Sequence, residues 1–120
     1  MGSIIIKRVY DAPEESDGYR ILTDRLWPRG IKKENVKADL WAKDITPSNE
    51  LRKEFHQNFD FEVFNKKYLK EIADNPKAPE FKEFVIEKLS KGNITLLTAS
   101  KNMDFNQCHV LKNWIENKSN

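Results

Sequence analysis

The sequence predicts an α/β fold, a three-layer open sheet that is mainly parallel, with helices on its flanks. Residues 4–10 (IIIKRVY) and 93–100 (NITLLTAS) are apolar runs rich in β-branched residues, the pattern of strands covered on both faces. Between them lie segments whose apolar residues recur at helical spacing, and the two patterns together require helices laid on a sheet. The chain has 120 residues and is 38% hydrophobic, enough for one domain (residues 1–120) with a core that needs neither disulfide nor structural metal.

After the first run, residues 11–18 (DAPEESDG) hold Pro, Gly and four acids and predict a loop or at most one helical turn. Residues 19–26 (YRILTDRL) predict a second strand, with Ile21 and Thr23 on one face, Leu22 on the other, and Pro28 and Gly30 ending it. Residues 31–36 are a polar linker, and Asp39 or a neighbour is placed to cap a short helix carrying Leu40 and Trp41. Thr46-Pro47 supplies an N-cap and a first-turn proline for a helix with Leu51 and Phe55 on one face. The next helix spans 61–74, with Phe64, Tyr68, Leu69 and Ile72 inward and Asn75-Pro76 as its stop. Pro79 opens another, striped by Phe81, Phe84, Val85 and Leu89, with Gly92 as its C-terminal cap. Asp104 is placed to cap a last helix that turns Val110, Leu111, Trp114 and Ile115 inward, and residues 118–120 read as a frayed tail. The eight residues between the first two strands are fewer than the dozen or so of a usual parallel crossover, so these strands can be parallel or a hairpin.

Composition narrows the function. The net charge of +2 is not that of a polyelectrolyte drawn to nucleic acid by charge alone. A single cysteine, Cys108, excludes an intrachain disulfide and a multi-cysteine zinc site. Without a signal-like start or 18 apolar residues in a row, the expected setting is the cytoplasm, with no membrane partner.

The distribution of charge is more telling than its sum. All five arginines (Arg8, Arg20, Arg25, Arg29 and Arg52) lie in the first 52 residues, whereas the 16 lysines run throughout. Each expected strand ends in basic residues: Lys7-Arg8, Arg25 with Arg29 beyond it, and Lys101. In an open parallel sheet ligands bind outside the carboxyl ends of the strands, and a guanidinium grips oxyanions bidentately. The expected guest is a small anionic ligand such as phosphate or a nucleotide, or a nucleic-acid segment. Arg8, Arg25, Arg29 and Lys101 would contact it, Asp24 would orient the arginines, Trp27 would flank the pocket, and Lys43 and Arg52 would close it. The competing reading has the arginines neutralised by Asp24, Asp39 and Asp44, and the turn Trp27-Pro28-Arg29-Gly30 as plain structure with its Trp in the core.

Whether turnover follows is open: hydrolysis or transfer at phosphorus needs a base, and Asp24 and His56 are the candidates. No nucleotide-binding glycine loop is present and no cofactor is specified. Cys108 and His109, neighbours on a helix, point about 100° apart and read as a packed thiol and a surface imidazole. Two histidines without clustered carboxylates specify no metal site. An alternative is a DNA-binding regulator acting through the middle helices with Lys82, Lys88 and Lys91, whose charge Glu80, Glu83 and Glu87 offset. A further alternative is a non-enzymatic interaction protein, a homo-oligomer using exposed Trp or Phe.

Three blocks, IKRVYDAPEESDGYRILTDRLWPRGI, LWAKDITPSNELRKEF and ITLLTASKNMDFNQ, resemble the YeaO-like branch of the domain of unknown function 488 family over residues 5–114. DRLWPRG at 24–30 is the most specific segment. In that family a helix joins the first two strands and the second ends in a DVR-like motif, the counterpart of Asp24-Arg25. The resemblance therefore implies parallel strands, with 11–18 replacing a shortened helix. It carries over Arg8, Asp24, Arg25, Trp27, Pro28, Arg29, Gly30, Trp41, Lys43, Arg52, Lys101 and Asn106 without a mechanism. Longer relatives have Cys-His-Arg where Asn106 stands, and YeaO-like relatives tend to have His in place of Phe105, so no thiol or histidine chemistry is implied.

Overall fold

The computed structural model describes residues 2–117. Four strands, β1 (Ile4–Arg8), β2 (Tyr19–Leu22), β3 (Leu40–Trp41) and β4 (Ile94–Thr98), form one sheet in the order β1-β4-β2-β3, with every neighbouring pair parallel. The helices are α1 (Lys33–Val36), α2 (Asn49–Asn58), α3 (Phe61–Asp74), α4 (Ala78–Leu89) and α5 (Gln107–Ile115).

β4 is the centre of the sheet, and all five of its residues are buried. It pairs with β1 on one side and β2 on the other, so Leu96 stands opposite both Ile6 and Ile21. This excludes the hairpin: β1 and β2 are not neighbours at all. Residues 9–18 return the chain to the start of β2 through a short turn, Glu15–Asp17. A strand of this length spans about 17 Å, and ten extended residues reach about 33 Å, so a loop suffices where a crossover helix is usual.

Strand alternation divides the core into two layers. Ile4, Ile21, Ile94 and Leu96 pack on the helical side against Phe64, Tyr68, Val85 and Leu111. Leu22 and Leu97 face the other way, with Val9 and Val36, under Trp27, Ile31 and Trp41. The second cover is thin: the 15–17 turn, α1 and the segment from Trp27 to Ile31. Arg20 ties it down. Its buried guanidinium donates to the Asp17 carboxylate, to the Val36 carbonyl at 2.8 Å and to the Lys37 carbonyl at 3.2 Å.

Several local expectations are corrected. β2 ends at Leu22, not Leu26, although the Thr23 amide still donates to the Leu97 carbonyl. Leu40 and Trp41 form an edge strand, not a helix. The Asp39 carboxylate caps nothing but accepts from the Arg20 amide at 2.9 Å, while the Asp39 and Ala42 amides donate to β2. The linker at 31–36 contains α1, anchored by buried Val36. Ser48, not Thr46, caps α2, because the Thr46 hydroxyl closes the preceding turn onto the Lys43 carbonyl. α4 ends without a left-handed glycine. The amides of Ser90, Lys91 and Gly92 turn back onto its last carbonyls, so Gly92 is not its cap. Asn106, not Asp104, caps α5, its Oδ1 accepting from the Cys108 amide at 2.9 Å. α3 has the expected bounds, with Asp60 as its cap. The tail at 118–120 lies outside the described residues.

Candidate functional site

The carboxyl ends of the central strands β2 and β4 open into a cleft of about 600 Å³. Its floor is polar. Beyond β2 the chain runs through Thr23 to Asp24, whose carboxylate accepts from the Ala99 amide (2.7 Å), the Thr98 hydroxyl (2.9 Å) and the Gln107 amide (2.9 Å). Burial pushes the Asp24 carboxyl above its ordinary pKa, partly countered by these donors and by the Arg52 charge. Asp24 thus joins β4 and α5 to the end of β2. It makes no ion pair with an arginine among the described residues, although the Arg52 charge acts on it.

Arg25, Arg29, Arg52 and Lys101 line this cleft, together with Trp27, His56 and Asn106. Arg25 reaches the Pro47 carbonyl at 3.4 Å and Arg52 the Asn49 side chain at 3.4 Å, both weak contacts. None of the four cations has a carboxylate partner among the described residues. The neutralising partners expected for them are used elsewhere: Asp39 on the Arg20 amide and Asp44 on Lys77 at 3.1 Å. Four cations against the single carboxylate of Asp24 give the lining a formal charge of +3, in a chain whose total is +2.

Two expected contacts lie outside the cleft. Arg8 sits at the end of β1, where its guanidinium donates to the Ser100 carbonyl at 3.1 Å and lies 4.9 Å from the Tyr10 ring centroid. It steadies the loop that leads to Lys101 instead of lining the cavity. Lys43 lies over the Trp41 ring at 5.2 Å and borders a separate groove of about 430 Å³ between β3 and α4. Asn106 reaches the lining, but its amide is committed to the Cys108 amide and the Asn102 carbonyl. Trp27 is half-buried, donates to the Ile31 carbonyl at 2.7 Å and packs edge-on against Trp41, so it is both pocket wall and core. Gly30, at φ 75°, makes the turn that only glycine takes without strain.

Cys108 lies beneath the floor, fully buried, its sulfur 3.2 Å from the Thr23 hydroxyl. Burial pushes the thiol up to about 12; the Thr23 hydrogen bond opposes the rise and the Asp24 charge adds to it. It is therefore a packed thiol, unsuited to nucleophilic work at neutral pH. His109 is half-buried, with a ring nitrogen 2.7 Å from the Met103 carbonyl. The three lysines of the DNA-binding alternative have partners: Lys88 lies over Tyr19 and Phe84, Lys91 pairs with Glu87, and Lys82 contacts Asn117 and Trp114.

The sequence reading missed Gln107, Thr98 and Ser100, and an aromatic wall of Phe55, Phe59 and Phe105. Gln107 stayed hidden because the cap of α5 was expected at Asp104, and Gln107 follows the actual cap, Asn106. Phe59 had none, because nothing in its neighbours announces its left-handed backbone.

Fold and site together define a parallel α/β domain with a cation-lined cleft at its central strand ends. A family model described as the inactive DUF488-N3 subclade matches residues 3–120, and the chain belongs to that family. It is 48% identical to the uncharacterized protein YeaO of Escherichia coli K12, covering 94% of this chain and 96% of that one. It is 32% identical to the uncharacterized proteins Mb3100c of Mycobacterium bovis and Rv3073c of Mycobacterium tuberculosis, over 88% of this chain and 87% of theirs. No solved structure matches the chain significantly. No described helix is long and apolar enough to cross a membrane.

Proposed function

We propose that this protein binds a small phosphate-bearing anion in the cleft at the ends of β2 and β4, and that it binds without turnover. The observation that carries the reading is the set Arg25, Arg29, Arg52 and Lys101 around one cavity, with no carboxylate pairing any of them among the described residues. Unpaired arginines beside a polar floor are the donors an oxyanion needs. The candidate bases favour binding without chemistry: three donors hold the Asp24 carboxylate against β4 and α5, and His56 stands exposed at the rim. The description of the family model as inactive accords with this. The cytoplasm, where phosphate esters abound, is the proposed setting.

Titration calorimetry with inorganic phosphate and pyrophosphate at low salt tests the reading. Saturable binding should weaken as salt rises, and Arg25→Ala or Arg52→Ala should each weaken it about tenfold, the scale of one charge-assisted hydrogen bond. Absence of heat and of amide shift changes around Asp24–Arg29 and Thr98–Lys101 would overturn it.

A further inference from the structure

We infer that the anion is a nucleoside phosphate whose base lies against Phe59 and Phe105, with its phosphate in the cationic cleft; the inference rests on the anion-binding reading above. A second groove of about 480 Å³ adjoins the first, sharing Phe55, Phe59, Asn102 and Phe105. Its character is aromatic. Phe59 is 72% exposed and Phe105 51% exposed, while Phe55, Phe61 and Phe64 behind them form a linked cluster. Phe59 meets Phe55 at 6.3 Å and Phe105 meets Phe61 at 5.3 Å between centroids, so the two exposed rings are held from behind.

Phe59 is unexplained by the fold. It follows α2 at φ 52°, a left-handed position that suits glycine or asparagine, and a bulky side chain is strained there. Burial offers no compensation for a ring this exposed. A planar ligand ring would: stacking on aromatic side chains is the ordinary means of holding a nucleobase.

Charge sets the orientation. The aromatic groove contains the Asp60 carboxylate, which caps α3 by accepting from the Val63 amide, and it contains no Arg or Lys. An anion is repelled from that end and drawn to Arg25, Arg52 and Lys101 at the other, leaving the aromatic end to an uncharged ring. The Asn58 side chain, in the same groove, has no hydrogen bond among the described residues. It can offer both donor and acceptor to the edge of a base, which a bare phenyl ring cannot use.

The test is calorimetry on the full chain with ribose 5-phosphate, adenosine monophosphate and phosphotyrosine. Adenosine monophosphate should bind at least tenfold tighter than ribose 5-phosphate. Phe59→Ala and Phe105→Ala, both at exposed positions and checked by circular dichroism, should each weaken adenosine monophosphate more than ribose 5-phosphate and so reduce that margin. Arg52→Ala should weaken both ligands equally. Tighter binding of an oligodeoxyadenylate than of the mononucleotide assigns the ligand to single-stranded nucleic acid, and weaker binding to free nucleotide; both support the inference. Equal affinity for ribose 5-phosphate and adenosine monophosphate, or phosphotyrosine binding as tightly as the nucleotide, overturns it while leaving the anion-binding reading intact. Failure of every phosphate probe to bind overturns both.

Discussion

Replacing Asp17 by Asn should cost about 3 kcal/mol of folding stability, because it removes one partner of a buried charge pair. Asp17 is 2% exposed and Arg20 5% exposed. The Asp17 carboxylate accepts from Arg20, from Lys7 Nζ at 3.0 Å and from the Glu14 amide at 3.0 Å. Breaking a buried pair costs about 3–5 kcal/mol. The lower end applies because Asn keeps one carbonyl oxygen, and Arg20 keeps its bonds to the Val36 and Lys37 carbonyls. Against a total stability of about 5–15 kcal/mol for a small domain, the loss is a large fraction. Urea titration at pH 7 reads it as a fall in midpoint at unchanged slope. The pH dependence gives an independent signature. Burial by itself would raise the Asp17 pKa, but the Glu14 amide, Lys7 and Arg20 outweigh it and hold the carboxyl below its ordinary value. A depressed carboxylate stabilises the fold above its unfolded pKa, and that contribution is lost as pH falls through the folded value. The Asn variant should therefore be destabilised at neutral pH and converge on the parent as acid protonates Asp17. A loss under about 1 kcal/mol at pH 7, or a difference independent of pH, would refute the reasoning.

Gly18 has φ 65°, and a Cβ there would lie 2.0 Å from the Asn93 carbonyl oxygen, so Gly18→Ala should either fail to fold or melt far below the parent in a thermal scan; an unchanged melting temperature would contradict the structure. Asp24 is raised by burial and lowered by the nearby Arg52 charge, so Arg52→Ala should move its titration further up, read by carboxyl carbon NMR. Because the folded value lies above the unfolded one, the associated stability is present at low pH and is lost as pH rises through the folded value. An Asp24 midpoint unmoved by the variant would place Arg52 away from the floor. Cys108 should resist a disulfide reagent at pH 8 in the native protein and react at once in urea, since burial keeps it a thiol; rapid native labelling would show that the floor opens.

The local expectations that failed share a cause. Leu40 and Trp41 have no strand signal of their own, and what makes them a strand is the free edge of β2, to which Asp39 and Ala42 bond. Ser48 displaces Thr46 as a cap because Thr46 is already committed to the Lys43 carbonyl. Helix capping depends on which of several adjacent hydroxyls is free, and tertiary contacts decide that. Long periodic segments were immune: Phe64, Tyr68 and Ile72 define α3 without help from partners far away.

At the site, residue type was legible and destination was not. The sequence determined that all five arginines lie in the first 52 residues, that cations end or closely follow the apolar runs, and that these runs must be buried on two faces, because these follow from local composition and periodicity. Only the tertiary structure decided which cations share a cavity. Setting β4 between β1 and β2 joins Lys101 to Arg25 and Arg29, while Arg8 turns to the Ser100 carbonyl and Lys43 falls beyond β3. The physical reason is strand order: a sheet permuted in sequence brings distant strand ends together, and no local pattern records which ends become neighbours.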